Sequence, residues 1–247
     1  MKSMLRTLLE SAGIYYGKRQ YMPCGLDWLW DIQRVAANQQ ILTVFDVGAN
    51  VGQTTIAVKS RFPGATVHAF EPVARTFAEL QANVAGLSGV TCHRLALSDV
   101  AGQAVMAVAA NSLTNHLVEV PAAVTTSATM ESVDVDTVDA FCRQRDIERL
   151  DILKVDAEGA DLKVLKGADR MLRENRVAFV FAEVGFKPSD AGHVYLAHVL
   201  EQLNGTGLVP YSFYDYCRLT PPAYEQEGLG LVFSNVLFVN PAAIASM

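Results

Sequence analysis

Cysteine, positive charge and long apolar runs are all in short supply in this chain, and each shortage excludes a class of protein. The four cysteines, Cys24, Cys92, Cys142 and Cys217, stand far apart. They lack both the paired spacing of a zinc site and the density of a disulfide-stapled fold, so they read as reduced structural thiols of a cytoplasmic protein. No stretch approaches the ~18 consecutive apolar residues of a spanning helix. Basic residues number 20 against 26 acidic ones, for a net charge of −6. Because no Lys/Arg stripe interleaves with aromatics, a nucleic-acid partner is not expected. Residues 1–13 have a basic end without a long apolar run or a cleavage signature. Within them Met4, Leu5, Leu8 and Leu9 fall at helical spacing. The expectation is a short amphipathic helix packed on the domain, with peripheral membrane contact as the alternative. No repeat, low-complexity segment or linker interrupts the rest.

The chain does contain an apolar strand that runs into glycine. Val44-Phe45-Asp46-Val47-Gly48-Ala49-Asn50-Val51-Gly52 leads into a helical stretch, then a second apolar strand ending at Phe70, with Glu71 at its tip. A strand, a tight glycine turn, a helix and a second strand with an acid about twenty residues on make a nucleoside-binding half-site. Gly48 and Gly52 allow close backbone approach to a ligand, and the helix from Gln53 offers free N–H groups. Glu71 is placed to accept both hydroxyls of a ribose. The plainer alternatives are a glycine turn that merely packs and, for Asp46, an acid that caps that turn.

Strand and helix alternate along the sequence. A helix over residues 26–38 precedes strands over 41–47, 65–70 and 90–97, separated by helices over 53–61 and 72–84. Two successive βαβ crossovers imply an α/β, doubly wound sheet. The alternation lapses near 98–136, where 103–109 and 129–135 read as short strands around a Ser/Thr-rich middle. This is the candidate substrate-side insertion, although residues 111–116 within it fit an ordinary surface hairpin better. Helices near 137–145, 161–174 and 193–203 then alternate with strands over 150–155 and 177–184, and strands near 208–214 and 231–239 close the chain. The organisation expected is an N-terminal helical extension over 1–40 and a single α/β domain over 41–247.

A second constellation follows the strand at 150–155. Lys154-Val155-Asp156-Ala157-Glu158-Gly159 brings charge to the carboxyl end of a central strand, where open α/β sheets bind ligands. Strand alternation puts Lys154 and Asp156 on one face. A lysine in an apolar strand needs a partner, and Glu183, at the end of the next strand, is the candidate. A structural Lys154–carboxylate pair and direct participation of Lys154 in chemistry stand as equal readings.

Together these residues resemble the FkbM family of S-adenosylmethionine-dependent methyltransferases. The resemblance is carried by Phe45-Asp46-Val47-Gly48-Ala49-Asn50 with Gly52, His68-Ala69-Phe70-Glu71-Pro72, and Ala96-Leu97-Ser98-Asp99 with Gly102. It continues in Leu153-Lys154-Val155-Asp156-Ala157-Glu158-Gly159 with Leu165-Lys166-Gly167, and in Asn235-Val236-Leu237-Phe238-Val239. It implies the Rossmann-like class I methyltransferase fold, a mostly parallel seven-stranded sheet whose last strand is antiparallel, with helices on both faces. It also implies S-adenosyl-L-methionine as cofactor and a hydroxyl acceptor on a glycan or a polyketide-type small molecule. By position, Asp46, Gly48, Asn50 and Gly52 would surround the methionine portion of the cofactor, Glu71 its ribose, and Ser98 or Asp99 its adenine.

Methyl transfer to oxygen requires alignment and removal of a hydroxyl proton. Asp156 is the first candidate base and Glu183 the second, with Glu158 and Lys154 also at the strand ends. His193 and His198 read as surface or satisfied histidines. Mg²⁺ held by Asp156, Glu158 and Glu183 is a less favoured alternative, because the Lys154 ammonium opposes it. Trp28, Trp30, Tyr211, Phe213, Tyr214, Tyr216 and Tyr224 are candidates for an acceptor pocket, with core packing an equal reading. Two other functions compete: a non-catalytic cofactor-binding subunit of a biosynthetic assembly, and an NAD-dependent dehydrogenase, which the loop Gly48-Ala49-Asn50-Val51-Gly52 disfavours. A symmetric homodimer is the default oligomer.

Overall fold

The computed structural model describes residues 22–108, 116–118, 129–189, 192–218 and 231–247. The amphipathic stretch containing Met4 to Leu9, the polar residues 111–115, and Tyr224 lie outside them, as does the side chain of Tyr216. The main sheet has seven strands: β1 (Thr43–Val47), β2 (Thr66–Phe70), β3 (Val90–His93), β8 (Leu150–Val155), β9 (Val177–Gly185), β10 (Val209–Arg218) and β11 (Leu231–Val239). Their spatial order is β10-β11-β9-β8-β1-β2-β3. β11 runs antiparallel to both β9 and β10, and the other pairings are parallel. This is the class I methyltransferase sheet.

Strands covered on both sides are built from apolar runs, and β8 is buried at all six positions. Alternation sends Phe45 and Leu153 into one core, and Val44 and Ile152 into the other. The first core is closed by α4 (Val138–Gln144), α5 (Asp161–Gly167), α6 (Asp169–Arg173) and α7 (Leu196–Leu203). The second is closed by α1 (Trp28–Ala36), α2 (Gln53–Arg61) and α8 (Pro241–Ala245). α3 (Ala74–Val84) packs by Leu80 and Val84 on Ala49 and Ala69. The α1 helix is anchored firmly: Asp27 caps it at Trp30 N (2.9 Å), and Leu29 and Ile32 are buried. Trp28 stacks on Phe181 with ring centroids 4.2 Å apart, and fully buried Asp31 accepts from Tyr214 Oη at 2.7 Å.

Three elements differ from the sequence expectation. Residues 90–97 are two strands, because pairing with the sheet stops at His93, whose carbonyl accepts from Glu71 N (3.0 Å). The chain then leaves as β4 (Ala96–Leu97), which joins β5 (Gly102–Val108), β6 (His116–Val118) and β7 (Thr129–Asp136) in a separate sheet of order β4-β7-β5-β6. Residues 161–174 are two helices, since the Asp139 carboxylate caps α6 afresh at Arg170 N (2.8 Å) and Met171 N (3.1 Å). The last long helix begins at Leu196 rather than 193, leaving His193 in the segment that bridges to β9 through Gly185 and Tyr195.

Gly167, at the α5–α6 break, has no room for a side chain: a Cβ there would stand 2.0 Å from the Ser98 carbonyl oxygen. Gly167→Ala is expected to lose about 1–3 kcal/mol by overpacking, measured as a lowered urea midpoint at unchanged m-value.

Candidate active site

A cleft with about 750 Å³ of empty space opens at the carboxyl ends of β1, β2 and β8. Its position, at the crossover point of a doubly wound sheet, is where such folds bind small molecules. The floor is the turn after β1. Gly48 has φ 71°, and a Cβ on it would lie 1.8 Å from the Asp156 carbonyl oxygen, so only glycine lets this turn press against the segment after β8. Asn50 lines the cleft in a left-handed conformation (φ 48°), with its Oδ1 buried and lacking a hydrogen-bond partner. Beside it Glu71, only 6% exposed, accepts from Val73 N at 3.0 Å. Burial raises the Glu71 carboxyl to about 6, against the opposing hydrogen bonds from Val73 and Asn50 N–H.

Below the floor lies a buried ion pair. Asp46 is fully buried, accepts from Thr55 Oγ1 at 2.6 Å and meets Lys154 Nζ at 3.3 Å. Lys154 also reaches Asp156 Oδ2 at 3.4 Å and donates to the carbonyls of Val47 (3.3 Å) and Gly48 (3.1 Å). Burial alone would lower the Lys154 pKa, but Asp46 and Asp156 outweigh it and the net shift is upward, so the side chain is a fixed ammonium. Its partners are therefore Asp46 and Asp156, not Glu183. Gly48, Asn50, Glu71, Asp156 and Glu158 line the cleft, whereas Asp46, Lys154, Gly52, Ser98, Asp99 and Glu183 do not. Gly52 caps α2 beneath Leu80 and Val84, and Ser98 donates to Asp99 in a turn (3.1 Å).

Acids gather on the β8–β9 side of the cleft. Glu158 reaches solvent in a left-handed conformation (φ 49°), yet partial desolvation, then Asp156 and Asp161, raise its carboxyl to about 7. Glu183 is also raised to about 7, first by burial and then by Asp156, with His193 opposing. Asp161 is raised to about 6 by burial and Asp156, although Ala157 N donates to it at 3.3 Å. His193, named from sequence as an alternative base but read first as a surface or satisfied histidine, has its Nε2 3.7 Å from Glu183 Oε2 while its ring stacks on Phe233 (4.3 Å). No local pattern announces this contact, because it depends on the bridge between β9 and the segment before α7. His198 stays exposed on α7, edge-on to Tyr195.

Two readings that the sequence left open concern the same region. Among the described residues no group of three His, Cys, Asp or Glu side chains is placed to hold a metal ion. The suggested Mg²⁺ set is split, with Asp156 turned to Lys154 and Glu183 to His193. Among the proposed acceptor aromatics, Trp28 and Tyr214 belong to the core, and Trp30 lies under Arg61. Phe213 packs near Phe186, and Tyr211 contacts Cys24.

Residues 46–209 match the family model described as the methyltransferase FkbM domain. The chain belongs to this family. It is similar to "Methyltransferase 1" of Beauveria bassiana (strain ARSEF 2860), 32% identical over 146 residues covering 51% of this chain and 58% of that protein. It is also similar to "31-O-demethyl-FK506 methyltransferase FkbM" of Streptomyces tacrolimicus, 47% identical over 64 residues covering 24% and 23%. The chain thus spans little more than half of the first relative and about a quarter of the second. Among solved structures, a putative sarcosine dimethylglycine methyltransferase from Galdieria sulphuraria aligns at TM-score 0.47 and 12% identity, over 86% of this chain and 84% of that one. Among the described residues of this FkbM-family chain, no helix is long and apolar enough to cross a membrane.

The raised Glu71 gives two signed expectations. A ribose hydroxyl donates best to the carboxylate, so affinity for a nucleoside ligand should hold above pH 7 and fall up to tenfold per unit below about 6. Glu71→Gln should flatten that dependence in titrations with S-adenosylhomocysteine. A carboxyl raised by folding opposes the folded state once ionised. Wild-type thermal stability should therefore decline relative to Glu71→Gln as pH rises from 4.5 through about 6.

Proposed function

We propose that this FkbM-family chain is an O-methyltransferase that uses S-adenosyl-L-methionine to methylate a hydroxyl of a small-molecule or glycan acceptor. The observation that carries the reading is one cleft lined both by the nucleoside half-site residues Gly48, Asn50 and Glu71 and by Glu158, a carboxyl raised toward neutrality. The cofactor fits the residues present. Glu71 is an acceptor for ribose hydroxyls, and the orphaned Asn50 Oδ1 offers an acceptor to the cofactor's amino group. An apolar wall including Phe70 and Leu97 suits a purine. The printed name of the Streptomyces relative, which refers to a 31-O-demethyl compound, supports oxygen as the methylated atom.

The bound cofactor supplies an electrophilic methyl group on a sulfonium, whose sulfur keeps the electron pair as the carbon–oxygen bond forms. The chain's own work is alignment and proton transfer. The Gly48 turn and Glu71 hold the donor, while Asp156, clamped by Lys154, fixes the polar rim opposite. Asp156 was the first candidate base from sequence. Its engagement by Lys154 suits it better to orienting the acceptor. Glu158 lines the cleft and titrates near 7, which matches a base working at neutral pH, so it is the assigned proton acceptor, with Glu183 and His193 behind it. Asn50 and Glu158, both non-glycine residues held at positive φ, line the cleft.

Calorimetry of the ligand-stripped protein with S-adenosylmethionine and separately with NAD tests the cofactor. Saturable binding of the former alone, weakened at least tenfold by Glu71→Ala, is expected; binding of NAD instead would point to a dehydrogenase. Radiolabelled methyl transfer to a panel of sugar and polyketide hydroxyls should follow. In that assay Glu158→Gln should cut turnover by about 10²-fold or more while leaving cofactor affinity within twofold. Saturable cofactor binding with no transfer to any acceptor in the panel would favour the non-catalytic subunit.

A further inference from the structure

The stretch near 98–136 is the candidate substrate-side insertion of the sequence analysis, and its described part brings a residue of β5 into the cleft. Met106, in the middle of β5, is 7% exposed and lines the cleft, as do Leu95, Leu97, Phe70 and Pro72. Its partner in register on β7 is Glu131. Directly paired residues in an antiparallel ladder share a face, so one face of the small sheet presents both side chains. Glu131 accepts from Ala74 N (2.9 Å) at the start of α3 and from Arg94 Nη2 (3.0 Å). Ala74 directly follows Val73, whose own N–H is held by Glu71. The small sheet is thereby latched, through Glu131 and the consecutive residues Ala74 and Val73, to the acid placed for the ribose. Val73, Ala96, Met106 and Val133 form one buried cluster behind this latch.

Resting on the cofactor reading above, we infer that the four-stranded sheet is a cofactor-binding element. Met106 forms the wall against which the adenine packs, and Glu131 is the positioning residue that joins that wall to Glu71. A purine ring needs apolar surface to pack on, and the flexible thioether of Met106, with Leu95 and Leu97 in the same lining, provides it. The hydrogen bonds through Glu131, Ala74 and Val73 tie this wall to Glu71, so the base of a nucleoside held there by its ribose is the group it would meet. The sheet that sequence reasoning gave to the acceptor would then read the donor.

The test uses the full chain with S-adenosylhomocysteine, adenosine and methionine as separate probes. Met106→Ala should weaken S-adenosylhomocysteine and adenosine by the same factor, about tenfold, and leave methionine unchanged, with Met106→Leu restoring most of the loss. In hydrogen exchange, S-adenosylhomocysteine should protect β5 and β7 amides as well as the turn after β1. Glu131→Ala should abolish the former protection and keep the latter, which a purely structural role for Glu131 would not do. Affinity indifferent to Met106, or protection confined to β1 and β2, would overturn the inference while leaving the cofactor reading intact. A folded wild type that binds no S-adenosylhomocysteine would overturn both.

Discussion

The geometry of the cleft depends on one buried cation. Lys154 lies inside the central sheet, where an unpaired ammonium would cost on the order of several kcal/mol, and four oxygens answer it. Two belong to carboxylates, Asp46 and Asp156, and two are the carbonyls of Val47 and Gly48. Removing any partner would leave charge stranded, so the end of β1, its glycine turn and the end of β8 are held as one unit. Thr55 extends the clamp to α2 through Asp46. Gly48 completes it from the other side, since its missing side chain lets the two loops touch backbone to backbone.

That clamp carries an electrostatic consequence. Lys154 is already engaged by Asp46 and Asp156. Burial, and after it repulsion from Asp156, raise the neighbouring Glu158, Asp161 and Glu183. An ion pair that secures the scaffold thus leaves beside it carboxyls able to take a proton near neutral pH. Glu71 is likewise raised chiefly by its own burial, with Glu131 rather than Asp156 as the acidic neighbour that adds to it. In the proposed reading Glu71 serves the donor and Glu158 takes the proton.

Much of the architecture was legible from local pattern. The continuously apolar, buried runs of β1 and β8, the Gly48–Gly52 turn and the placement of Glu71 and Asp156 at strand ends all follow from residue type and spacing. Less legible were the features in which one segment answers another distant in sequence. Residues 90–97 look like one strand because each residue suits a strand, and only competition between β2 and β7 for pairing divides them. The helix at 161–174 looks continuous because the cap that restarts it, Asp139, comes from another helix.

By itself the sequence determined the succession of strands and helices, the glycine turn, and which acids stand at the carboxyl edge, because hydrophobic period and backbone preference act over a few neighbouring residues. Tertiary structure alone decided that Lys154 pairs with Asp46 rather than Glu183, that His193 meets Glu183, that Trp28 and Tyr214 are core, and that Met106 faces the cleft. Each of these depends on the register or docking of segments far apart in the chain. Their energies arise only once the intervening chain is folded, so no local spacing can encode them.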